Sequence, residues 1–161
     1  MIRPAKLRDA DAIVAILNPI IQETTITFTS QPATYEDVFA GIEAHARRSD
    51  PYLVVETDGA VVGFAKYGPF RNGDGYARAA EITVHLAETA RGLGLGRDLV
   101  DALVRHGRAA GIHTLIAGIS AENDNALKFH AKLGFREAGR VADAGYKFGR
   151  YIDLILLQKI L

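Results

Sequence analysis

Three glycines on alternate positions, Gly92, Gly94 and Gly96, stand between Arg91 and Arg97. They follow a segment with the pattern of a strand and open one with the pattern of an amphipathic helix. Glycine leaves backbone N–H groups open to a ligand, and a helix N-terminus carries about half a positive charge. These residue types and this spacing predict a phosphate or pyrophosphate site. A glycine-rich turn without a ligand is the alternative that the segment alone leaves open.

The glycine cluster departs from two common nucleotide-binding motifs. The dinucleotide fingerprint Gly-x-Gly-x-x-Gly requires a third glycine, but that position is Arg97 when the count begins at Gly92 and Leu99 when it begins at Gly94. A P-loop requires Gly-Lys-Ser/Thr at its end, which this segment lacks. Neither motif is therefore predicted.

Hydrophobic periodicity predicts alternating strands and helices around these residues. One helix runs through Ile13 and Ile21, capped by Asp9 or Asp11, and we expect Pro19 to break or bend it. A capping box at Thr34 opens a second helix. The remaining predicted elements are strands at 52–56, 60–67, 79–86 and 115–119, helices from 96 and 123, a short first strand and two last strands. Residues 24–28 are predicted to form a loop.

Composition limits the function classes. The chain has 161 residues, which fits one domain spanning 1–161. Nineteen Lys plus Arg balance nineteen Asp plus Glu, so we expect no nucleic-acid partner, and no apolar run is long enough for a membrane partner. The absence of cysteine excludes disulfides and thiolate metal sites, and together with the absence of a signal peptide it indicates a cytoplasmic location. His45, His106 and His113 lack metal-ligand spacing, so no metal is predicted.

Two linked motifs resemble the GNAT family of N-acetyltransferases. Arg91-x-x-Gly94-x-Gly96, placed after a strand that ends at Leu86, is similar to the family's acetyl-CoA pyrophosphate loop. The second motif follows in order, with members Asn123, Ala126, His130 and Leu133-Gly134-Phe135. The resemblance implies an α/β fold with a mixed, mostly antiparallel sheet of six to seven strands and about four helices.

Further segments resemble the branch of this family that acetylates phosphinothricin and methionine sulfoximine. They lie at 24–28, 63–71, 81–86, 116–119 with 122–123, and 147–153. The branch implies acetyl transfer from acetyl-CoA to the amine of a small amino acid or analogue, in a homodimer. Two alternatives stay open: acetylation of another amine, such as a polyamine, an aminoglycoside-like compound or a protein N-terminus, and a non-catalytic acyl-CoA-binding module.

The resemblance also implies residue roles. Glu81 takes the place of the catalytic base, and His130 is a candidate proton donor to the CoA thiolate or a packing residue. The implied acetyl-CoA contacts are Val84, His85, Leu86, Arg91, Gly92, Leu93, Gly94, Leu95, Gly96, Arg97 and Asn123. Asn123 is also an N-cap by its chemistry.

The implied substrate contacts are Phe28, Tyr67, Phe70, Arg71, Asn72, Gly73, Glu81, Ile82 and Thr83. Arg71 suits a substrate carboxylate. Ile82 stands where the branch commonly has histidine, and Asn72-Gly73 stand where it commonly has proline and an aromatic residue. These departures concern the substrate and not the reaction. The basic run 147–150 is too short for nucleic acid and predicts a strand or dimer-edge role.

Overall fold

One seven-stranded sheet runs through the chain, and helices cover both of its faces. The computed structural model describes residues 1–161. The strands are β1 (Ile2–Pro4), β2 (Tyr52–Thr57), β3 (Ala60–Pro69), β4 (Ala79–Leu86), β5 (Thr114–Ser120), β6 (Arg136–Lys147) and β7 (Arg150–Ile160). The α-helices are α1 (Ala10–Glu23), α2 (Tyr35–Arg48), α3 (Leu95–Ala109) and α4 (Asp124–Lys132). The strand order is β1-β2-β3-β4-β5-β7-β6. The predicted fold class is confirmed.

The helix boundaries follow local chemistry. Thr34 Oγ1 accepts from the Asp37 N–H at 3.2 Å and the Asp37 carboxylate accepts from the Thr34 N–H at 3.1 Å, which is the predicted capping box of α2. Of the two expectations at Pro19, a break or a bend, the break is wrong, because α1 continues to Glu23. Pro19 lies on the exposed side of the helix, while Ile16 and Ile20 anchor the buried side before and after it. Packing of the apolar face therefore outweighs the lost hydrogen bond.

Strand alternation divides the core into two apolar clusters, one on each face of the sheet. Tyr67 and Leu115 belong to the cluster beneath α3, whereas Val54 and Phe64 belong to the cluster beneath α1 and α2. Glu81 pairs with Gly68, and Ile82 pairs with Tyr67. Because successive side chains of a strand point to opposite faces, Glu81 and Tyr67 are on opposite sides of the sheet.

The sheet splits between its two parallel strands. β4 and β5 pair only at residues 79–81 and 114–116, and beyond that point β5 pairs with β7 alone. Every other strand pair is antiparallel. Residues 82–86 of β4 therefore have one open edge, and a cleft begins there. No helix combines the length and the apolar character needed to cross a bilayer.

Candidate active site

The open edge of β4 presents backbone hydrogen-bonding groups to the cleft. Ala87 N–H donates to Val62 O at 2.8 Å, and Phe70 N–H donates to Ala79 O at 3.2 Å. These hydrogen bonds show that the odd-numbered residues of β4, and Ala87 directly after it, form hydrogen bonds with β3 and the residue that follows it. In an antiparallel pair the bonding direction alternates, so the N–H and C=O of Val84 and Leu86 point into the cleft. An extended ligand can add to this edge as a further strand would.

The cleft has a volume of about 650 Å³ and runs between β4, the start of α3 and one face of α4. Most of the predicted acetyl-CoA residues line it together. Its lining comprises Ile20, Ile26, Val84, His85, Leu86, Arg91, Gly92, Gly94, Gly96, Arg97, Asn123, Asn125, Ala126, Phe129, His130, Lys132 and Leu133. Leu93 and Leu95 are absent from the lining: Leu93 is exposed to solvent, and Leu95 packs against the core beneath α3.

The N-terminus of α3 keeps its donors free. Gly92 and Gly94 adopt φ of 77° and 83°, the left-handed region that glycine enters without strain. Gly94 is the N-cap and has no side chain to bond the first N–H groups, whereas Asn123 Oδ1 caps α4 by accepting from the Ala126 N–H at 3.1 Å. Asp98 N–H bonds back to Gly94 O. The N–H groups of residues 95–97 are therefore left for an anion.

Charge and packing support the same site. Neither Arg91 nor Arg97 forms an ion pair with a carboxylate. A Cβ on Gly96 would lie 3.2 Å from Cζ of Phe129, so glycine lets α3 approach α4 closely. The predicted anion site is thus a cradle of backbone donors between two unpaired guanidinium groups.

A second, smaller cavity of about 270 Å³ adjoins the cleft. It is lined by Ile26, Thr27, Phe28, Glu81, Ile82, Thr83, Val84, His85, Gly118, Ile119, Ser120, Asn123, Ala126, His130 and Leu154. Six of these residues, among them Val84 and His130, also line the cleft. A group bound in the small cavity can therefore meet a group bound in the cleft.

Glu81 is the carboxylate of the small cavity. Its side chain makes no hydrogen bond or ion pair with the protein, and a Cβ on Gly118 would lie 3.4 Å from Glu81 Oε1. Partial burial raises its pKa above that of an ordinary glutamate. An unpaired carboxylate with a raised pKa is suited to accept a proton.

His130 lies at the boundary of the two cavities. Its Nδ1 is 2.8 Å from Ala126 O, and a carbonyl oxygen only accepts, so Nδ1 carries the proton. Burial lowers the pKa of His130. At neutral pH the ring is therefore neutral, and Nε2 is an acceptor without a proton.

His85 is a neutral residue on the same face of β4 as Glu81. Burial, with the charges of Lys66 and Arg91 adding to it, lowers the pKa of His85 to about 4. Its ring packs 5.5 Å from the ring of Phe64, measured between centroids. It contributes shape rather than charge.

The structure does not bring all predicted substrate residues to Glu81. Tyr67 is buried on the opposite face, where its hydroxyl lies 2.6 Å from His106 Nδ1. Arg71, Asn72 and Gly73 line a separate depression of about 210 Å³ that shares no residue with the other two cavities. Phe70 lines none of these three cavities. Ile82 borders the small cavity, but its side chain is buried in the core beneath α3.

Several lining residues were not predicted. Phe129 lies on the face of α4 that Ala126, His130 and Leu133 share, and the helical period could have identified it. Gly118 and Ser120 line the small cavity with Glu81 where β5 diverges from β4, which no local pattern reveals. No group of three or more His, Asp or Glu side chains is placed to hold a metal ion.

Comparison with known proteins agrees with this geometry. Residues 2–156 match the family model described as an acetyltransferase (GNAT) domain. The chain is 35% identical to an L-methionine sulfoximine/L-methionine sulfone acetyltransferase of Pseudomonas paraeruginosa, over 98% of this chain and 92% of that protein.

Two solved structures have the same fold. A ribosomal-protein-alanine N-acetyltransferase from Brucella melitensis superposes with a TM-score of 0.97 and 39% identity, covering 100% of this chain and 99% of the other. A GNAT superfamily phosphinothricin acetyltransferase from Sinorhizobium meliloti, solved in complex with acetyl-CoA, has a TM-score of 0.95 and 28% identity, covering 100% and 88%.

The chain belongs to the GNAT family of acetyltransferases. It is an acetyl-CoA-dependent N-acetyltransferase, and the cradle at α3 and the open edge of β4 are compatible with acetyl-CoA.

Proposed function

We propose that the protein acetylates the amine of a small amino acid or analogue of the methionine sulfoximine, methionine sulfone or phosphinothricin type, by direct attack on acetyl-CoA. The observation that carries the proposal is the unpaired Glu81 carboxylate, in a small cavity that opens onto the cleft. A volume of about 270 Å³ lies just below the range of drug-sized ligand sites, which favours a small acceptor. The activities for which the Pseudomonas and Sinorhizobium proteins are named support the same class.

Glu81 is the proposed base. The amine nitrogen bonds to the acetyl carbonyl carbon, the carbon–sulfur bond breaks, and the amine proton passes to Glu81 directly or through a water. Deprotonating an α-amine with a pKa near 8 costs about 1 kcal/mol at pH 7, against roughly 4 to 5 kcal/mol for a lysine side chain. One carboxylate suffices for the α-amine. The Val84 N–H, which points into the cleft, is the proposed donor to the carbonyl oxygen as it gains charge.

Of the two roles that the resemblance implies for His130, proton donor or packing residue, we propose the second. Because its Nε2 carries no proton at rest, it cannot donate one to the thiolate unless it first takes one up. We assign His130 to shaping the boundary between cleft and small cavity, where its ring packs 5.1 Å from Phe129 and 5.2 Å from Phe135. The CoA thiolate then leaves without a proton from this side chain.

A protein N-terminus is the second candidate acceptor, favoured by the activity for which the Brucella protein is named. It presents the same α-amine to Glu81. A protein N-terminus differs from a free amino acid because the peptide continues beyond the first α-carbon. The rest of the peptide must therefore extend out of the small cavity.

Three further expectations become part of the proposal. We propose that residues 1–161 act as one domain, because both apolar clusters pack on a single sheet. We propose a homodimer, because β6 is an edge strand and the hairpin it forms with β7 exposes Tyr146, Phe148 and Tyr151. We propose a cytoplasmic location, because the chain has no cysteine.

The test is thiol release from acetyl-CoA with a panel of acceptors: methionine sulfoximine, methionine sulfone, phosphinothricin, lysine, spermidine and an alanine-terminated peptide. We expect release with the amino-acid analogues. Release with the peptide alone supports the second candidate, and tight acetyl-CoA binding without release on any amine supports a non-catalytic module. Light scattering of the same sample tests the dimer.

A further inference from the structure

Residues 24–28, here called the acceptor loop, form one wall of the small cavity with Ile26, Thr27 and Phe28. The loop has no regular structure, and no residue from 25 to 33 takes part in a backbone–backbone hydrogen bond. A segment without backbone–backbone hydrogen bonds depends on side-chain contacts to fix its conformation. What fixes it therefore decides the shape of the acceptor site.

Lys147 supplies two of the contacts that fix the loop, beside the hydrogen bond that Thr25 Oγ1 donates to Glu122 Oε1 at 3.0 Å. Its Nζ donates to Thr24 O at 2.7 Å and to Thr27 O at 2.8 Å, at both ends of the acceptor loop. The residue is only 3% exposed and has no carboxylate partner. A buried ammonium without a counter-ion is costly unless carbonyl groups bind it, so these two bonds are the reason that the side chain stays there.

The ring of Phe28 packs against Gly145. Gly145 and Lys147 are two apart on β6 and share its buried side, while Tyr146 between them is exposed. A Cβ on Gly145 would come within 2.5 Å of Cγ of Phe28, so the ring lies directly on the glycine backbone. Any side chain here pushes Phe28 away from β6.

We propose that Lys147 and Gly145 act together as the positioning and specificity-determining element of the acceptor site: Lys147 clamps the backbone of the acceptor loop, and Gly145 sets the depth of Phe28. The inference rests on the proposed function, because that function makes the small cavity the acceptor site. Neither residue contacts the reacting atoms. Both act through the wall that Phe28 and its neighbours build.

The first test replaces Lys147 with methionine, which keeps the length of the side chain and removes the donors. We expect kcat/KM for the amine to fall at least about tenfold, because two charge-assisted bonds are lost, while KM for acetyl-CoA stays within about twofold. Lys147→Arg keeps donors and should recover part of the loss. Lys128→Met, at an exposed position on α4, controls for the lost charge. Equal rises in KM for both substrates would overturn the proposal, since they indicate general damage.

Hydrogen exchange of the free enzyme tests the clamp without any acceptor. Amides of residues 24–29 should exchange faster in Lys147→Met, and those of residues 91–97 should not change. If exchange at 24–29 stays at the wild-type rate, the clamp is refuted whatever the activity. If it rises but no amine is acetylated, the clamp stands and the proposed function fails.

The second test addresses Gly145 separately. Gly145→Ala should lower kcat/KM for the amine, and adding Phe28→Ala should make the alanine at 145 almost harmless. If Gly145→Ala lowers kcat/KM equally with and without the ring of Phe28, contact with that ring is not the cause of the loss, and the proposal for Gly145 is wrong.

Discussion

Replacement of Gly94 by alanine separates ligand binding from backbone strain. Gly94 (φ 83°) lines the cleft, and Gly111 (φ 78°) lies beyond the C-terminal end of α3 and lines none of the three cavities. A Cβ at either position meets no atom within 4 Å. Gly111→Ala is therefore a matched control with the same backbone conformation and no ligand.

The expected magnitudes follow from these geometries. Alanine in the left-handed region costs about 1 to 2 kcal/mol, which lowers Tm by about 2 to 8 °C for a chain of this size in both variants. Only Gly94 borders the anion cradle, so we expect a methyl group there, and not at Gly111, to hinder the ligand. Losing one charge-assisted backbone bond costs about 1.5 to 3 kcal/mol, so the Kd for acetyl-CoA should rise roughly tenfold to hundredfold.

The assay is titration calorimetry of acetyl-CoA with thermal unfolding measured on the same samples. We expect matching losses of Tm in the two variants and a raised Kd in Gly94→Ala alone. A Gly94→Ala protein with the wild-type Kd and the same loss of Tm as Gly111→Ala would refute the cradle.

Two further predictions concern histidines. The pKa of His85 is about 4 in the folded protein and about 6.5 in the unfolded chain, so the unfolded chain binds the proton first as the pH falls. The free energy of unfolding should therefore decrease between pH 6.5 and 4, by roughly 3 kcal/mol for this group. Urea unfolding across this range should show a weaker pH dependence for His85→Phe, and an identical dependence would contradict the assignment. His130→Phe should lower kcat by less than about tenfold, since general acid catalysis is worth roughly a hundredfold or more. A hundredfold loss of kcat with an unchanged Tm would restore His130 as the proton donor.

Local patterns predicted most of the fold because its elements carry their own signals. The capping box at Thr34 marks a boundary that the structure retains. Pro19 shows where such signals fail: the helix continues because Ile16 and Ile20 are buried on either side of it. Local propensity gave way there to tertiary packing.

The site was predictable to the extent that it depends on short segments. Gly92, Gly94 and Gly96 act through a single turn, so their spacing was informative. Tyr67 was misplaced because its face depends on the register between β3 and β4, which the sequence alone does not give. Lys147 binds carbonyl groups 120 and 123 positions away, and no local pattern reports a contact of that range.

The most direct test of the central claim is Glu81→Gln, with kcat for the accepted amine and Kd for acetyl-CoA measured on the same preparation at pH 7. The substitution keeps the shape of the side chain and removes its capacity to accept a proton. We expect kcat to fall by roughly a hundredfold or more while the Kd for acetyl-CoA stays at the wild-type value. An unchanged kcat, or a Kd that rises as much as kcat falls, would contradict the assignment of Glu81 as the base.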